Sequence, residues 1–136
     1  MKKSILIILA LVLVAGAAIG YYMYNKPVET LESQDAAAEI SATALFSEFS
    51  ENETEAMANY EGKVLAIEGS LIEKMENSDG STTLILDGGD PIFGVKCRLD
   101  PSVDGEAIPA KGEPVRLKGL CIGMNADVEM NQCIIL

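Results

Sequence analysis

The feature that most limits this chain is an uncharged apolar run at its N-terminus. Residues 5–20 read ILIILALVLVAGAAIG, and Tyr21, Tyr22, Met23 and Tyr24 extend the run to about 20 residues, the length with which a helix crosses ~30 Å of hydrocarbon. Such a segment predicts a transmembrane helix over 5–24, with three tyrosines at its outer end and residues 1–4 as a short tail. Lys2 and Lys3 precede it, while Lys26 is followed by Glu29, Glu32 and Asp35. The positive-inside bias therefore places the N-terminus in the cytoplasm and the C-terminal domain outside, periplasmic or at the cell surface, in a single-pass membrane protein. A cleaved secretory signal is the rival reading, because Ala15-Gly16-Ala17 resembles a peptidase site. What remains is about 110 residues, enough for one hydrophobic core.

Charge narrows the partners. The formal net charge is -11, from 10 Lys plus Arg against 21 Asp plus Glu, and two of those lysines lie before the apolar run. Nucleic-acid binding usually rests on a basic face that releases counterions from phosphates, and this composition argues against one. An envelope protein, a peptide or a glycan is the expected partner, and the membrane is reached through the N-terminal helix. The chain has no histidine and no tryptophan, so the commonest general base and the commonest zinc ligand are both missing. No cofactor or metal is expected, and the chain does not read as an enzyme. Glu48, Glu51, Glu53 and Glu55 lack the spacing of a calcium loop and read as a solvated helix face. Asn52-Glu53-Thr54 is formally a glycosylation acceptor, but Asn52 sits where a helix cap is expected.

Residues 25–40 are acidic and alanine-rich and read as a linker. From 41 to 60 the period is helical, with Leu45, Phe46 and Phe49 on one face, a break near 50–52, and Ala56, Met57 and Tyr60 after it. Beyond Gly62 the period becomes two. Residues 63–74 alternate with Leu65, Ile67, Gly69 and Leu71 on one side, a strand long enough to bend, with Gly69 as the bending point. Residues 82–87 form a second strand and 93–99 a third, with Phe93, Val95, Cys97 and Leu99 inward. After a Pro- and Gly-punctuated connector over 100–112 come strands at 115–122 and 127–136. Three strands, a connector and a hairpin make the order of a five-stranded Greek-key barrel, the OB-fold. The fold class is thus mainly β, an OB barrel preceded by a helical segment, spanning 41–136. A small open sandwich is the alternative.

Several residues in this pattern carry a family resemblance: Asn52-Glu53, Ala56, Tyr60, Lys63, Gly69, Val95-x-Cys97, Gly112, Lys118-Gly119-x-Cys121-x-Gly123, Asp127-Val128 and Cys133. Over residues 45–136 the chain resembles the bacterial tRNA_anti-like OB-fold family. The resemblance implies the barrel and a membrane-anchored layout, and leaves the ligand open.

An OB barrel binds on its second and third strands and the adjoining loops, so the ligand-binding residues expected here are Thr83, Ile85, Lys96 and Arg98. That face carries no aromatic side chain if Phe93 points inward, another reason to disfavour stacking of bases. Cys97, Cys121 and Cys133 allow one disulfide at most. Parallel third and fifth strands would favour Cys97 with Cys133, sequence proximity favours Cys121 with Cys133, and buried unbridged thiols are equally compatible. The resulting functional reading is a membrane-anchored binding or adaptor module. A self-associating structural envelope protein and an oligonucleotide-binding domain are the alternatives. If the helix reading holds, protein from the membrane fraction retains residues 1–24. An intact mass beginning after Ala17 or Ala18 would instead establish a signal peptide.

Overall fold

The structure, a computed structural model, describes residues 1–25 and 31–136. The apolar run forms one helix, α1 (Lys2–Asn25), long and apolar enough to cross a membrane, with none of its residues buried. The strands are β1 (Ala38–Ser41), β2 (Val64–Glu76), β3 (Thr82–Asp87), β4 (Gly94–Leu99), β5 (Pro114–Asn125) and β6 (Asp127–Ile135), with helices α2 (Ala42–Glu51) and α3 (Glu53–Tyr60) between β1 and β2.

Closure depends on β2. Val64 to Ser70 pair antiparallel with β5, whereas Leu71 to Glu76 pair antiparallel with β3. The remaining neighbours are β3 with β4 antiparallel, β4 with β6 parallel, and β6 with β5 antiparallel, which completes the closed five-stranded OB barrel. The alternating apolar residues meet inside it: Leu65, Ile67, Leu84, Leu86, Val95, Leu117 and Val128 are all fully buried. The register irregularity lies between Leu71 and Glu73, just past Gly69. Gly69 itself is a close approach and not a positive-φ bulge, because a Cβ there would lie 2.8 Å from the Ala42 Cβ and 3.4 Å from the Leu86 Cβ. Both atoms are held directly by backbone and cannot swing aside.

Ala42 is the first residue of α2, whose apolar side packs on the barrel through Ala42, Leu45, Phe46 and Phe49, the i, i+3, i+4, i+7 set of a one-faced helix. The Ser41 hydroxyl accepts from the Ala44 amide at 3.1 Å and starts this helix. Asn52 separates the helices as expected, and its side-chain oxygen accepts from the Glu55 amide at 3.2 Å. At the end of α3 the Tyr60 ring stands 6.3 Å from that of Phe49. Its phenol is pushed up to about 12, first by the hydrogen bond to Glu48 and then by burial.

The expected linker over 25–40 needs correction. Residues 26–30 lie outside the described residues, but from Leu31 onward the segment is part of the domain. Leu31 is buried, Lys118 Nζ donates to the Glu32 and Gln34 carbonyls at 3.1 and 2.9 Å, and the Ala37 amide donates to the Val64 carbonyl. The segment then becomes β1, parallel to β2 from Ala38 opposite Leu65 to Ser41 opposite Glu68. Its passage over the outside of β2 accounts for four consecutive buried residues, Val64 to Ile67, where alternation alone predicts two. Such a strap is hard to read from its acidic, alanine-rich composition, because these bonds are made by its backbone carbonyls and amide.

The Gly69 contact makes a specific prediction. Gly69→Ala should destabilise the domain by about 1–3 kcal/mol, the usual range for overpacking. Adding Ala42→Gly, which removes the opposing methyl, should return part of the loss in chemical unfolding. Additive losses in the double variant would rule out this contact as the cause.

Candidate binding face

The four residues expected to bind a ligand are brought together as two cross-strand pairs on β3 and β4: Thr83 stands opposite Arg98 and Ile85 opposite Lys96. Their availability differs. Thr83 is buried, and its hydroxyl accepts from Asn77 Nδ2 at 2.9 Å, so it holds the β2–β3 turn in place. Arg98 reaches the same turn and pairs with Asp79. The Asp79 carboxyl is held below its ordinary range, first by the Ser81 hydroxyl and amide and, after an opposing effect of desolvation, by Arg98. Lys96 pairs with Asp127 Oδ2 at 3.1 Å. The other Asp127 oxygen accepts from the buried Gly94 amide at 2.7 Å. Each cation on this face thus has an acidic partner supplied by a loop or a strand start.

The apolar part of the face was not legible from alternation. Phe93 does not point inward: it precedes β4 and is 40% exposed. The Asp90 carboxylate accepts from the Ile92 and Phe93 amides at 2.8 and 2.9 Å, so both residues sit in a side-chain-capped turn. Strand alternation therefore starts only at Gly94. Ile92 and Phe93 join Ile72, Met75, Ile85 and Lys96 along a shallow groove of about 290 Å³. Ile92 is 79% exposed, and Ile72 and Met75 are each 38% exposed. The one available signal was the apolar Ile92-Phe93 pair directly after Asp90-Pro91, where a turn calls for polar residues.

The cysteines are all buried and unbridged. Cys97 and Cys133 lie on paired parallel strands, where Leu99 is opposite Cys133 and a register shift separates this pair from Cys97 opposite Met130. Cys121 lies opposite Met130 on the other side of β6, and its thiol is pushed up to about 11, chiefly by burial. No group of side chains suited to a metal ion occurs among the described residues.

The chain belongs to the tRNA_anti-like family, whose signature matches residues 1–134. Among solved structures it is similar to a "putative nucleic acid-binding lipoprotein" from Klebsiella pneumoniae, with a TM-score of 0.54 at 14% identity, covering 82% of this chain and 99% of that one. It is also similar to a chain of the yeast Stn1 and Ten1 structure, at 11% identity and a TM-score of 0.44, covering 80% of this chain and 69% of that one. The Klebsiella protein shares the fold. No curated protein matches the chain.

Asp127 joins two turns through one carboxylate, which makes it the sensitive point of the face. Asp127→Ala leaves the buried Gly94 amide without its acceptor and should cost about 1–3 kcal/mol. Asp127→Asn keeps an acceptor for Gly94 and loses only the ion pair with half-exposed Lys96, so it should cost less than ~1 kcal/mol. Equal losses in urea unfolding would contradict this division of roles.

Proposed function

We propose that this protein is a membrane-anchored, extracytoplasmic binding module that takes an apolar segment of an envelope protein on the outer face of β3 and β4. The observation that carries the reading is the chemistry of that face. Ile72 and Met75 on β2 and Ile92 and Phe93 just before β4 are exposed as one patch along a groove shared with Ile85 and Lys96 of that face, and grouped apolar side chains of this kind mark sites of protein contact. Lys96 and Arg98 are already paired with Asp127 and Asp79, so a phosphate would have to displace a carboxylate from each. The net charge of -11 adds repulsion. The Lys2 and Lys3 side of α1 then faces the cytoplasm and the barrel faces outward.

One observation favours a second reading. Phe93 lines one groove with Lys96, which puts a stacking ring near a cation, a combination by which OB domains hold single strands, and the Klebsiella protein of similar fold bears a nucleic-acid-binding name.

Capture of partners from an envelope extract by the full-length protein separates the two. Phe93→Ala and Ile85→Glu should each reduce recovery of a captured protein by roughly 10-fold or more, as expected for a central apolar anchor. Glu51→Gln, on the exposed side of α2, should leave recovery unchanged. Titration with a single-stranded oligonucleotide at ~0.15 M salt should show only weak binding. Micromolar or tighter affinity that is lost in Phe93→Ala would replace the protein-contact reading with the nucleic-acid one.

A further inference from the structure

The barrel holds a pair of thiols that the binding face does not use. Cys97 and Cys133 are both fully buried among the core side chains, on neighbouring hydrogen-bonded strands. Two local features direct Cys133 inward. Gln132 has a positive φ of 52°, which absorbs the extra residue of β6 where the register shifts. Gly119 on β5 leaves open the space that the Cys133 sulfur occupies, because a Cβ at Gly119 would overlap that sulfur. The Cys133 thiol donates to the Asn131 carbonyl at 3.7 Å, and the Cys97 thiol is pushed well above its ordinary range, first by side-chain hydrogen bonding with Cys133 and then by burial. Cys121, the third cysteine, lies on β5 opposite Met130, on the other side of β6 from Cys97 and three β6 positions from Cys133.

We propose that Cys97 and Cys133 form an intramolecular disulfide that ties β4 to β6 inside the barrel when the chain folds in an oxidising compartment. The oxidant is a disulfide, with oxidised glutathione as the simplest example. One thiol loses its proton, and the thiolate attacks the reagent disulfide and expels one reduced thiol. The second cysteine then attacks the mixed disulfide, expelling the other and closing the Cys97–Cys133 bond. Two electrons and two hydrogens pass to the reagent, which leaves as two thiols. In the folded barrel both sulfurs are sealed from solvent and the Cys97 thiol is held protonated, whereas the thiolate is the reactive species. The bond therefore forms before the barrel closes, or when β4 and β6 separate, and afterwards is shielded from reductants. This proposal is independent of which partner the outer face takes.

Peptide mapping of the full-length protein in detergent tests it. The chain is unfolded in urea, refolded with oxidised glutathione, and its remaining thiols are alkylated after a second denaturation. The expected result is a Cys97–Cys133 linked peptide, alkylation at Cys121 alone, a mass lower by two hydrogens before alkylation, and a higher urea midpoint than the reduced protein. Folded, reduced protein treated without urea should form the link far more slowly. Cys121→Ala should form it as the wild type does, whereas Cys97→Ala and Cys133→Ala should not. The wild-type map decides the matter even if a variant fails to fold. Alkylation at all three cysteines after oxidative refolding, a link that includes Cys121, or a link between chains would overturn the proposal.

Discussion

The structure depends on a single strand having different partners along its length. β2 pairs with β5 through its first half and with β3 through its second, and a sheet can close in this way only if that strand coils tightly at the crossing. Coiling brings the start of α2 down onto β2, so that Ala42 sits where a side chain on residue 69 would stand. The glycine, the alanine and the cap of α2 at Ser41 are therefore one arrangement. Ser41 ends β1, opens α2 and fixes where Ala42 falls. The helix in turn brings Leu45, Phe46 and Phe49 onto the barrel, which is how so short a chain obtains a continuous core.

The outer face has a different logic. Its two cations are each satisfied by an aspartate from an adjoining segment, and the same aspartates shape the turns: Asp79 accepts from the Ser81 amide, and Asp127 from the Gly94 amide. Charge on this face organises loops before it meets any ligand. Beside these pairs the face exposes the apolar side chains of Ile72, Met75, Ile92 and Phe93. A partner that buries Ile92 and Phe93 gains hydrophobic free energy without breaking an ion pair. A polyanion would have to compete for both.

Much of the barrel was legible because a strand inside a small core shows its period directly. Val95, Cys97 and Leu99 alternate with Lys96 and Arg98 in the chain and in the structure, and Asn52 reads as a cap because its side chain can satisfy a free amide at a helix start. The misreadings share a physical origin, since they lie where side-chain identity does not determine backbone course. Phe93 continues the parity of β4 on paper, but Asp90 captures two amides and holds the residue outside the strand. Thr83 faces outward by parity and is nevertheless buried beneath a turn anchored by Asn77. The strap over 31–37 is tied down in large part by backbone groups that any sequence would supply, the Glu32 and Gln34 carbonyls and the Ala37 amide. Position on a face could be read from the sequence, whereas what lies over that face could not.

The docked strap also sets a leash. Between Asn25, the last residue of α1, and Leu31, the first residue seated on the domain, the covalent chain can extend only about 20 Å. With α1 in a bilayer, the barrel is confined to a thin layer at the membrane surface and cannot sweep the wider compartment. Encounters then become a two-dimensional problem for any partner held in the same membrane, with a local concentration set by that partner's surface density. A face with modest intrinsic affinity can stay occupied under those conditions, while a soluble competitor of equal affinity is outnumbered.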